Sequence, residues 1–206
     1  MTIIDITPPI SPTLAVWPGD TPVTREVLCE IDGAASVTLS TLRATVHLGA
    51  HADGPNHYGS GARSIDRQPL HHYIGDCQVV RASVGRAGRV RLEDLSSVPT
   101  AQRVLIATGT FPDPTRWNDD FAALDPTLVD ALADRGVVTI GIDTPSVDLI
   151  SSKDLPAHRR FLARDLAILE GLRLDGVAEG HYELIALPLP LVGFDASPVR
   201  AILRQR

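Results

Sequence analysis

Between Asp125 and Asp143 the chain reads DPTLVDALADRGVVTIGID, an order that few architectures accommodate. Asp125 can accept from the free N–H groups at a helix start, Pro126 suits the first helical position, and Gly136 offers a stop. The VVTIGI run that follows at once has no polar face, as a strand covered on both sides requires. A helix feeding straight into such a strand predicts an α/β fold, a sheet with helices packed on it. Other strand patterns lie at residues 36–46 (SVTLSTLRATV), Gln78–Val84, Arg103–Thr108 and Tyr182–Leu187. They outnumber the helical ones. The expectation is therefore a single α/β domain over residues 1–206 with a mixed, largely β core, a barrel-like or swivelling sheet surrounded by helices. A second helix is predicted over roughly His158–Leu169, with Phe161, Leu162, Leu166 and Leu169 near helical spacing and Gly171 as its stop.

Composition narrows the function. Of 206 residues 44% are hydrophobic but only 4% aromatic, so aliphatic side chains must build the core. Acidic residues outnumber basic ones 25 to 19, and no cluster of positive charge suggests a nucleic-acid partner. The opening MTIIDITPPI lacks the basic and apolar regions of a secretion signal. The most apolar segment, LIALPLPLVGF, is broken by Pro188 and Pro190, so no membrane span is expected. Cys29 and Cys77 stand apart from any CxxC pattern; they read as buried small hydrophobes and suit a reducing cytoplasm. Ser60 lies in YGSGA, which is no nucleophile elbow, and neither a P-loop nor a dinucleotide fingerprint is present.

What remains is HLGAHADGPNHY, residues 47–58, where three of the seven histidines and an aspartate crowd together. His47, His51 and Asp53 are candidate ligands of one metal. Four residues of strand span about 13 Å, too far for two rings to share an ion. Either the backbone turns, as Gly49 and Gly54 would permit, or the spacing forms one helical turn; Pro55 bars a long helix. His158 and Glu170 would sit at opposite ends of the second helix, able to serve together only a site spanning two metals. DTPSVD, residues 143–148, follows a buried strand where α/β sheets carry ligand-facing loops. His71, His72 and His181 read as surface or packing residues. With no other nucleophile evident, a metal-activated water is the expected attacking group.

HLGAHADGPNHY resembles the signature of the cyclase-like metal-dependent hydrolases, nearest to their kynurenine formamidase (arylformamidase) branch. The likeness extends through WPGD, TGTFPDPTRWNDDFA, IGIDTPSVD, SSKDLPAHRRFLARDLAILEG and YELIALPLPLVGFDASPVRAIL. The resemblance implies two divalent metal ions per subunit, zinc foremost. One would be held by His47, His51, Asp53 and Glu170, the other by Asp53, His158 and Glu170, with Asp53 and Glu170 bridging. It implies His57 as the proton shuttle, Trp17 as a substrate contact near the partner of a homodimer, and N-formyl-L-kynurenine as the small-molecule substrate. Relatives opening a cyclic amide of the isatin type are the alternative within the group. A non-catalytic zinc protein is the alternative outside it, disfavoured because structural zinc prefers cysteine-rich, closed coordination.

Overall fold

The computed structural model describes residues 2–205; Met1 and Arg206, the ends of the expected domain, lie outside the described residues. The strands are Ile3–Asp5 (β1), Thr24–Cys29 (β2), Leu39–Arg43 (β3), His51–Asp53 (β4), Ile74–Arg81 (β5), Arg89–Val90 (β6), Arg103–Ala107 (β7), Ala123–Leu124 (β8), Thr139–Ile142 (β9), Ala167–Glu170 (β10), Gly180–Ile185 (β11), Ala196–Pro198 (β12) and Ile202–Arg204 (β13). Two α-helices accompany them, Pro126–Ala133 (α1) and Pro156–Arg164 (α2). Nine strands form one mixed sheet in the order β1-β13-β11-β5-β7-β9-β10-β4-β12. Its middle, β5-β7-β9-β10, is parallel, and both flanks are antiparallel. This is the expected α/β fold with a mixed, largely β core.

Strand periodicity divides the core. Val80, Val104, Ile106, Ile140, Ile142 and Ile168 point to one face, where Leu128, Val129 and Leu132 of α1 and Phe161 of α2 cover them. Their alternating neighbours Val79, Leu105, Ala107 and Leu169 point to the other, onto Tyr73, Leu184 and Leu203. Asp125 caps α1 as its sequence predicts, accepting from the Thr127 N–H at 2.9 Å. The start of α2 is capped from a distance. Its flanking residue Leu155 lends no side-chain bond, and Asp148 accepts from the N–H groups of Ala157 (3.2 Å) and His158 (3.0 Å) instead.

Three expectations are corrected. The second helix ends at Arg164, closed by Asp165 in the left-handed conformation, and residues 167–170 form β10. Its apolar run AIL is buried all round between β9 and β4, a demand a helix with one apolar stripe cannot meet. The strand expected over 36–46 is shorter, Leu39–Arg43, and pairs only with β2 in an exposed ribbon; it stops before the histidine cluster. Gly54 has an ordinary extended backbone, so it does not make the turn; a side chain there would collide with Asn56 and the backbone of Ile65.

Candidate metal centre and its cavity

Gly49 makes the turn that brings the cluster together. Its φ of +53° reverses the chain between His47 and β4. Gly171, at φ +62°, closes the approach from the other side: any side chain there would overlap the Gly49 carbonyl. With two bare backbones touching, β10 can lie beside β4, and Glu170 falls directly opposite His51. The first turn of α2 then carries His158 over the same spot, so the fold-back after Arg164 brings His158 Nε2 within 3.7 Å of Glu170 Oε1. Residues read as the two ends of a helix thus meet.

The groups converge on Asp53, which is fully buried. His47 Nδ1 stands 3.2 Å from Asp53 Oδ1, His51 Nε2 3.5 Å, and His158 Nε2 3.5 Å from Oδ2. Glu170 Oε2 is 3.2 Å from His51 Nε2, and its other oxygen accepts from the Val147 N–H at 2.7 Å. His51 Nδ1 donates to the Gly49 carbonyl at 2.9 Å, and His158 Nδ1 to Asp148 at 2.9 Å. Both rings therefore aim Nε2 at the carboxylates, where it can carry a proton or, once deprotonated, ligate a metal.

The donor set fits a divalent cation. Both Asp53 oxygens and His51 Nε2 are buried without any hydrogen-bond partner among the described residues, an arrangement costly for a carboxylate unless a cation shares it. Ligand atoms of His47, His51 and Asp53 lie within 4.8 Å of one another, as do those of Asp53, His57 and His158. The electrostatics agree. Burial opposes charge on His47, yet Asp53 and Asp195 raise it to about 9. Burial likewise opposes charge on His158, yet Asp148 and Asp53 raise it to about 10. Burial alone would raise Asp53, but His158 and His47 hold it well below the usual carboxylate range. The pocket draws positive charge, whether protons or metal.

His57 sits at the mouth of this cluster, in a short 3-10 turn begun by Pro55. Its ring centroid is 4.2 Å from that of His47, and its Nδ1 is 3.7 Å from Asp195. Burial lowers its pKa, with the His47 and His158 charges assisting against Asp53 and Glu170, so the ring is neutral at pH 7. Trp17 is more remote. It meets Trp117 edge-on at 5.3 Å and Phe121 at 6.2 Å, and lines a cavity of about 780 Å³ in its own subunit. His47, His51, His57, His158 and Glu170 line the same cavity, beyond the ends of the parallel strands.

Two participants have no motif in the sequence. Asp148 binds the His158 ring and backbone and takes a 3.0 Å bond from Arg89; only the position of DTPSVD after a buried strand hinted at it. Asp195 hydrogen-bonds His47 Nε2 at 3.1 Å across the sheet, and no local pattern marks it. His72 is a packing residue, buried and donating to the Val138 carbonyl at 3.0 Å, while His181 is exposed on β11. Cys77 is buried as expected, whereas Cys29 is only half-buried on the exposed ribbon.

A sheet that gathers histidines and buried carboxylates at the mouth of an apolar cavity defines, with its relatives, a hydrolytic enzyme. The Cyclase family profile matches residues 4–149. A kynurenine formamidase of Bordetella petrii is 46% identical over 203 residues, 98% of this chain and 97% of that protein. The chain belongs to the cyclase family. A solved structure described as a "potential metal-dependent hydrolase with cyclase activity" superimposes with a TM-score of 0.84 at 26% identity, covering 100% of this chain and 99% of its own. Isatin hydrolase A of Ralstonia solanacearum shares the fold, with a TM-score of 0.81 at 20% identity over 98% and 91% of the two chains.

Proposed function

We propose that residues 1–206 act as one hydrolase domain that converts N-formyl-L-kynurenine to L-kynurenine and formate, a step of tryptophan degradation via kynurenine. The observation that carries this reading is the 46% identity, nearly end to end, with a kynurenine formamidase. His47, His51, Asp53, His158 and Glu170 would hold two divalent ions, zinc foremost given nitrogen and oxygen donors. Such ions supply Lewis acidity, lowering the pKa of water and polarising a carbonyl. In the hydrolysis water adds to the formyl carbon, the C–N bond breaks, and the aryl nitrogen takes up a proton. His57, neutral and at the cavity mouth, accepts the proton that water gives up and returns it to the departing amine. Trp17 and Trp117 offer flat apolar surface to the aryl ring.

The decisive assay follows formate release from N-formyl-L-kynurenine and, in parallel, ring opening of isatin, before and after dialysis against a chelator. Activity on the formamide that disappears with the metal and returns with added zinc is expected. Full activity after complete metal removal would refute the metal role, and isatin as the preferred substrate would shift the reading to the cyclic-amide alternative.

Asp148→Asn tests how the centre is built. Asparagine keeps the shape but loses the charge that orients His158, so zinc affinity should drop about 10–100-fold, measured by competition with a chromophoric chelator. Unchanged affinity would mean that packing alone holds the ring.

A homodimer is supported by the ribbon β2–β3, which carries Val27, Leu28, Leu39 and Leu42 at 42–63% exposure. Leu28→Asp with Leu42→Asp is expected to yield a monomer by light scattering where the parent gives a dimer; a parent at monomer mass would end this part of the reading. Among the described residues no helix is long and apolar enough to cross a membrane. The unpaired cysteines favour the cytoplasm.

A further inference from the structure

Two arginines, Arg81 and Arg173, line the cavity. Arg173 is committed, its Nε lying 3.1 Å from Asp175 Oδ1. Arg81 differs. Among the described residues it enters no ion pair, and its side chain makes one hydrogen bond, from Nη2 to the Val177 carbonyl at 3.0 Å. The adjacent Glu179 is occupied by the Arg81 backbone N–H and by Ser96, not by the guanidinium. A guanidinium carries five N–H donors, so most of this fork is uncommitted. The Val177 bond anchors it beside Leu174 and Gly176, which line the same cavity. Anchored by that bond and making no ion pair within 4 Å among the described residues, the Arg81 fork at the exposed rim of the cavity suits a carboxylate.

Its distance from the reacting end is set by the sheet. Arg81 ends β5 and Glu170 ends β10, with β7 and β9 between them. Three strand intervals of about 4.8 Å separate the two Cα positions by roughly 14 Å. In N-formyl-L-kynurenine the formyl carbon and the α-carboxylate carbon are linked through seven bonds, roughly 8 Å when extended. Alternation carries Arg81 to the Val79 face and Glu170 to the Ile168 face, so one ligand reaches both around the strand ends. The cavity lies beyond the strand ends and touches both side chains.

We infer that Arg81 binds the α-carboxylate of the substrate and makes the enzyme selective for anionic over neutral aryl formamides. This rests on the proposed formamidase activity. It is tested by the ratio of kcat/KM for N-formyl-L-kynurenine to that for its methyl ester and for 2′-formamidoacetophenone, which lacks the amino-acid tail. The parent protein should prefer the acid over both. In Arg81→Ala that preference should fall about 10–100-fold, carried by KM more than kcat, with Arg81→Lys intermediate because it keeps charge but loses the fork. The ester comparison needs no variant, so a misfolded Arg81→Ala does not blunt the test. A parent that cleaves acid and ester equally, or an undiminished preference in a folded Arg81→Ala, overturns the inference while leaving the formamidase reading intact. A parent that cleaves none of the three overturns both.

Discussion

Asp53→Ala is expected to purify without bound metal and to show only background formamidase activity. Asp53 is the one side chain approached by His47, His51 and His158 together, and neither of its oxygens has another partner. Removing it deletes a shared ligand, so the loss of affinity should exceed the roughly 10–100-fold cost of losing an outer partner such as Asp148. In the absence of metal the same variant should also lose stability near neutral pH, because the ionised Asp53 and the protonated His47 and His158 favour one another's charged forms in the fold. Two measurements check this: zinc content by atomic absorption, and melting temperature with and without zinc. The parent should gain stability on adding zinc by mass action and the variant should not. Stoichiometric zinc in Asp53→Ala would rule out the bridging role.

His57→Ala should separate binding from chemistry. His57 is the most exposed ring of the cluster; it lies within 4.8 Å of Asp53 but its close ion-pair partner is Asp195, at 3.7 Å, outside the proposed ligand set. Metal content should therefore stay at the parent's level while kcat falls about 10²–10⁴-fold, the usual worth of a positioned general acid–base. The acidic limb of the pH–rate profile should change as well. The His57 pKa is lowered by burial, so the parent's ring is a competent base at neutral pH and loses activity only where acid protonates it. That limb should vanish with the ring. Parent-like turnover in His57→Ala would remove it from the mechanism.

Much of the candidate centre was legible because its ligands cluster locally. His47, His51, Asp53 and His57 fall within eleven residues, and the reach of a strand left either a turn permitted by Gly49 and Gly54 or one helical turn between the rings; the structure makes the turn at Gly49. Helix α1 and strand β9 were equally plain, since a capping aspartate, a proline, a terminal glycine and an uninterrupted apolar run each act within a few residues. Pattern failed where two periods overlap. FLARDLAILEG satisfies helical spacing at several positions, and only the burial of AIL on all sides, decided by neighbours β9 and β4 from elsewhere in the chain, turns its second half into a strand.

From the order of residues alone one can state the class of fold, the kinds of metal-binding groups and that the nearest of them must be folded together, because propensity, capping and donor chemistry are short-range. The partnership of His158 with Glu170, the hold of Asp148 and Asp195 on two of the rings, and the place of Arg81 in the cavity lining belong to the assembled sheet. Those contacts join residues up to 148 positions apart, as between His47 and Asp195, and nothing local in either segment encodes which distant segment it will meet.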